Sequence, residues 1–158
     1  MKKTVKAVLI FALGALVVIQ FIRPDKNEAG YEGVEHFENE TKPSAQMAAL
    51  LRANCYDCHS NQTSYPWYAE IAPVNYWLAD HVNDGKKHFN VSAWSDYSTK
   101  KKDHKLEEVI EMVEEGEMPL DSYTWLHGDL SENDTKLLLQ WVAIARLQYM
   151  AQLEVSSN

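Results

Sequence analysis

The sequence predicts an all-α protein: a small helical domain with long loops, preceded by one N-terminal transmembrane helix. Three observations carry that expectation. Apolar residues recur at three- and four-residue spacing in separate stretches after residue 43. Nothing in the chain alternates apolar with polar as a strand would, and no repeat or low-complexity tract appears. A nearly unbroken apolar run, broken only by Gln20, occupies residues 7–22 behind Lys2, Lys3 and Lys6.

That first segment, "MKKTVKAVLIFALGALVVIQFIRP", has the basic start and apolar centre of an export signal. It ends in "VIQFIRPD" without the small residues a signal peptidase needs, so residues 1–23 read as an uncleaved signal anchor. The run is at the short end of the roughly 17–25 residues of a spanning helix. The lysines place the start in the cytoplasm and the rest outside. The expected location is the bacterial inner membrane, single-pass, with the folded part in the periplasm; the alternative is a soluble periplasmic protein after cleavage.

Residues 24–43 are polar, with Gly and Pro, and read as a linker or extended arm. A folded domain is expected over 44–150, and 151–158 as a C-terminal tail. Ser44 caps a helix beginning "AQMAALLRANCYDC". Pro73 opens a second, "PVNYWLADHVNDG", with Val74, Trp77, Leu78, His81 and Val82 on one stripe and Gly85 at its end. A third, "HKLEEVIEMVEEG", places Leu106, Val109, Ile110 and Val113 together and stops at Gly116. "EMPLDSYTWLHGDL" reads as a loop. Ser131, with Asp134 three residues on, caps the last helix, which buries Leu137, Leu138, Trp141, Val142, Ala145 and Tyr149.

Both cysteines of the chain lie in "NCYDCHS", residues 54–60. On a helical turn, Cys55, Cys58 and His59 share a face and can surround one object. Three objects fit: a disulfide, a metal or a haem. C-x-x-C-H is the pattern of covalent c-type haem attachment, in which two thiols meet the two vinyl groups and the adjacent imidazole reaches the iron. A thiol–disulfide oxidoreductase would place its pair at a helix start within a βαβ pattern, which is missing here. A structural disulfide leaves His59 without a role, and zinc would need two further ligands at workable spacing.

"NCYDCHS" followed by "GEMPLDSYTWLHGDLSENDTKLLLQWV" resembles a class I c-type cytochrome. The middle, "YPWYAEIAPVNYWLADHVNDGKKHFNVSAW", is similar to the small haem-binding domain of exported bacterial proteins. The resemblance spans roughly 44–146 and implies a cytochrome c-like fold with one haem c per chain. It implies His59 as proximal and Met118 as distal iron ligand. A thioether is soft and raises the reduction potential, which suits an electron carrier rather than an enzyme. His81 is the alternative distal ligand and would make a bis-histidine haem. Trp77 and Trp125 flank the two candidates and are expected against the porphyrin. An open sixth position would instead bind a gas or peroxide, or serve a sensory module.

The charge narrows the partners. The formal balance is −8. Setting aside Lys2, Lys3, Lys6 and Arg23 leaves 11 basic residues against 23 acidic ones, about −12. Such a surface repels nucleic acid. It suits brief docking on redox proteins with basic docking surfaces.

Overall fold

The computed structural model describes residues 2–157; Met1, counted in the anchor, and Asn158, counted in the tail, lie outside it. Eight α-helices and two 3-10 turns follow one another with no strand among the described residues, only an isolated bridge between Glu28 and Gln62. The all-α expectation holds.

Helix α1, Lys2–Ile19, buries none of its residues. No helix among the described residues is long and apolar enough to cross a membrane. The expected transmembrane helix over residues 1–23 is therefore unsupported by α1 on its own. The first turns of α1 carry Lys2, Lys3 and Lys6, so its apolar part runs only from Ala7 to Ile19. At 1.5 Å per residue that part is about 20 Å long, against about 30 Å of hydrocarbon. Residues 20–22 carry on for one tighter turn with i→i−3 bonds, and the Gln20 amide donates to the Ala72 carbonyl (3.1 Å) and accepts from the Ala72 N–H (3.0 Å).

The stretch read as an arm is structural. Asn27 bonds the Ser60 carbonyl and the Thr63 hydroxyl, both at 2.9 Å. Helix α2, Val34–Thr41, then buries Val34, Phe37 and Thr41. Phe37 meets Trp94 edge-on at 4.9 Å and Trp141 at 6.0 Å, at the centre of the core.

Helix α3, Ala45–Asn54, starts where expected, with the Ser44 hydroxyl accepting from Met47 N–H. It does not run through the cysteines. Cys55 leaves helical geometry (φ −124°, ψ −44°), and a single turn, α4, Tyr56–His59, follows. Helix α5 spans Val74–His88, passing through Gly85 instead of stopping there. A Cβ on Gly85 would lie 2.8 Å from the Cys58 carbonyl oxygen, so glycine lets α5 press against the α4 turn.

Helix α6, Thr99–Glu114, starts earlier than periodicity indicates, because Ser98 caps it through Lys101 N–H. Helix α7, Asp121–His127, forms within the expected loop. Helix α8, Glu132–Ser157, continues through most of the expected tail. The Ser131 hydroxyl accepts from Asp134 N–H, as expected of the cap, but the Asp134 carboxylate accepts from that hydroxyl rather than from the Ser131 N–H, so only half of the expected capping box forms. Helices α6 and α8 pack along each other, with Arg146 reaching Asp103 (2.7 Å) and Glu107 (2.6 Å).

Candidate haem site

The turn carrying the cysteines is held from below. The N–H groups of Cys58 and His59 both donate to the Cys55 carbonyl (3.2 and 3.0 Å). Tyr56 is fully buried and reaches Glu38 of α2 through its hydroxyl. Thr63 donates to the Asp57 carbonyl, and the Asp57 side chain accepts from Ser64 N–H (2.8 Å). The turn is therefore fixed by α2 and by the loop that follows it.

His59 is fixed from the side. Its Nδ1 lies 2.9 Å from the Phe89 carbonyl and 3.1 Å from that of Gly85. Both partners only accept, so Nδ1 carries the proton and Nε2 is left with its lone pair. Burial lowers the affinity of the ring for a second proton, against the opposing pull of the two carbonyls. A neutral imidazole with an oriented, unprotonated Nε2 is what an iron-ligating histidine needs.

The ring and both thiols line one cavity of about 640 Å³, within the 300–1,000 Å³ common for small-molecule sites. The cavity lies between the α3–α4 turn, α5, α6, the loop after α6, and α7 and α8. Both cysteines are free thiols. Burial, and secondarily the Cys58 charge, pushes the Cys55 thiol up to about 12; burial and Asp57 push Cys58 up to about 11. An activated nucleophilic pair needs the opposite shift. No cluster of three or more His, Cys, Asp or Glu among the described residues could hold a metal ion.

Met118 lines the same cavity, and so does His81. The His81 Nδ1 donates to the Trp77 carbonyl at 2.8 Å, which also frees its Nε2. Trp77 and Trp125 do not line it, correcting their expected contact with the porphyrin. Trp77 is 49% exposed and meets the His81 ring at a tilt, with centroids 4.4 Å apart; Trp125 is 80% exposed. The large rings lining the cavity are instead Phe37, Tyr56, Phe89, Tyr123 and Trp141.

Several lining residues escaped the sequence reading, Met112 and Tyr123 among them. Met112 sits on the cavity face of α6, three residues beyond Val109, a spacing that could have revealed it. Tyr123 belongs to α7, bonds the Ala53 carbonyl (2.7 Å) and stacks on His127 at 4.2 Å. No periodic signal marked it. His127 in turn meets the Tyr68 hydroxyl at 2.8 Å, tying α7 to the 3-10 turn Trp67–Glu70.

The donors present suit a haem: an oriented imidazole, soft thioethers across an apolar cavity, and two protonated thiols beside the histidine. No curated protein and no solved structure matches the chain. A family model for a haem-binding domain matches residues 14–144, most of the sequence. The chain belongs to the haem-binding domain family.

Proposed function

We propose that the protein is a membrane-anchored, periplasm-facing monohaem c-type cytochrome whose task is one-electron transfer. Cys55 and Cys58 hold the haem through thioethers, each S–H adding across a vinyl double bond with no net oxidation. His59 Nε2 is the proximal ligand and Met118 the distal one. The observation that carries this reading is the pair of carbonyls, of Gly85 and Phe89, that commits His59 Nδ1 and orients Nε2 in the cavity the thiols line. Bound there, the iron supplies the one-electron couple. The chain's residues position it, restrict water through the walls of α6 and α8, and set its potential by the distal ligand.

A second reading has its own observation. His81 lines the cavity with Nδ1 committed to Trp77, so its Nε2 is available for a bis-histidine iron of lower potential. The acidic surface favours partners with basic docking patches, and their reduction rates should fall as salt rises.

The test is the haemochrome spectrum of the purified full chain after denaturation and organic extraction, following co-expression with haem-maturation proteins. Haem that stays with the polypeptide supports thioether attachment. Haem that is extracted, or that stays in Cys55→Ala/Cys58→Ala, defeats it.

A further inference from the structure

Three of the five tryptophans are exposed, and all three lie in one interlinked region. Among the described residues outside α1, the exposed large apolar side chains before position 130 fall in three segments: 21–22, 67–77 and 125–126. Hydrogen bonds join these segments. Gln20 grips Ala72, the Tyr76 hydroxyl donates to the Ile22 carbonyl, and Tyr68 meets His127 next to Trp125 and Leu126. Arg23 and Lys26 both bind Glu70, closing the same junction. Trp94, by contrast, is fully buried.

Through Ala72 and Tyr76 this region adjoins the exit of α1, a helix that is apolar on every side beyond its lysines. A helix packing on protein would show one apolar stripe; one apolar all round fits lipid. Its length falls short of a bilayer. Residues 20–22 continue past α1 with i→i−3 bonds, which brings the apolar run to about 26 Å. The remaining few ångströms match the roughly 5–10 Å by which interfacial apolar faces sink into the headgroup boundary.

We propose that Phe21, Ile22, Trp67, Ile71, Trp77 and Trp125 form a collar that sinks into the outer headgroup layer of the bilayer and completes the span that α1 begins. The occupant of this surface is phospholipid. Tryptophan prefers that depth because its ring is apolar and its N–H is polar. Lys2, Lys3 and Lys6 sit in the opposite headgroup layer. The collar rests on the reading of the chain as membrane-anchored, and it fixes the domain against the membrane rather than leaving it on a flexible tether.

The test uses the full haem-loaded chain in vesicles of phosphatidylethanolamine and phosphatidylglycerol doped with a phospholipid bearing a photoreactive diazirine near its headgroup. Labelled peptides are mapped by mass spectrometry. Label on peptides containing 67–77 and 121–127, as well as on the first 22 residues, is the expected result. In Trp67→Glu/Trp125→Glu, label on those two peptides should fall several-fold while label on α1 is kept; the haem spectrum reports folding, and if it is lost the wild-type map decides alone. Label confined to α1 overturns the collar, assigns the aromatic patch to a protein partner and leaves the anchor standing. No label anywhere overturns both the collar and the anchor.

Discussion

Gly85 and His59 share one interaction in two forms: the Gly85 carbonyl accepts from His59 Nδ1 at 3.1 Å, and the missing Gly85 side chain lets α5 come close enough to offer it. Phe89, one turn on, supplies the second acceptor at 2.9 Å. Helix α5 is thus the orienting element of the candidate ligand. Gly85→Ala should displace it, because the new Cβ would fall 2.8 Å from the Cys58 carbonyl oxygen and 3.2 Å from the Cys58 Cβ. Neither neighbour is a flexible side-chain end. The expected cost is about 1–3 kcal/mol of stability, with perturbed iron–histidine bands. Denaturant unfolding and the absorption spectrum of the variant check both.

Phe37→Ala should cost about 3–5 kcal/mol, the range for deleting a buried aromatic. Phe37 is 2% exposed and touches the rings of Trp94, Phe89 and Trp141. A residue in a tether would cost nothing. Chemical denaturation of the full chain decides between the two: an unchanged midpoint would return residues 34–41 to the status of an arm.

That contrast shows what the sequence could and could not convey. The caps at Ser44 and Ser131 were legible because capping is local: a hydroxyl and an N–H two or three residues on. The four long amphipathic helices were legible through their periodicity. Helix α2 was not, since "VEHFENET" offers only Val34 and Phe37 as apolar anchors and is helical because both pack against distant rings. Gly85 looked like a helix stop, yet its reason is a contact 27 residues away in sequence with Cys58. The short helix α7 was hidden between Gly116, Pro119 and Gly128. In the site, the C-x-x-C-H pattern located the turn, but the acceptors of His59 lie at the end of α5 and no spacing rule points to them. Trp77 was misplaced because its stripe was taken as facing inward, whereas Val82 is the side chain of that stripe that the core buries.

Glu40 should make stability depend on acid. Burial pushes its carboxyl up, but bonds from Lys102, Tyr149 and Trp94 more than offset this, and it sits below the ordinary glutamate range. The folded state therefore binds this proton less readily than the unfolded chain. The resulting stabilisation is complete above the ordinary glutamate value and is lost as pH falls through the lower folded value. Glu40→Gln should cost about 1 kcal/mol at neutral pH, a modest figure because the pair is partly exposed and screened. It should also flatten the stability profile in acid. Urea midpoints of both proteins between neutral pH and pH 3 provide the comparison; parallel profiles would remove Glu40 as the source.

The distal ligand separates three side chains that line one cavity: Met118, Met112 and His81. Met118 follows the end of α6, where its N–H and that of Glu117 both bond the Met112 carbonyl (3.1 and 2.9 Å), so the loop holds the two methionines side by side in the fold. Met112 lies within α6, a helix packed along α8, so its backbone is held in helical geometry. The loop residue has the freedom to reach an iron that the helical one lacks. Met118→Ala should therefore abolish the low-spin bands of the reduced protein and lower its reduction potential, since a thioether favours the reduced iron. Met112→Ala should keep the bands and cost less than the about 2–5 kcal/mol of a fully buried methionine, because the side chain is only half-buried. His81→Ala should keep both bands and potential. Optical spectra with redox titration of the three variants decide the assignment: loss of the bands in His81→Ala alone would establish a bis-histidine iron, and loss in Met112→Ala alone would move the sulfur ligand from the loop to α6.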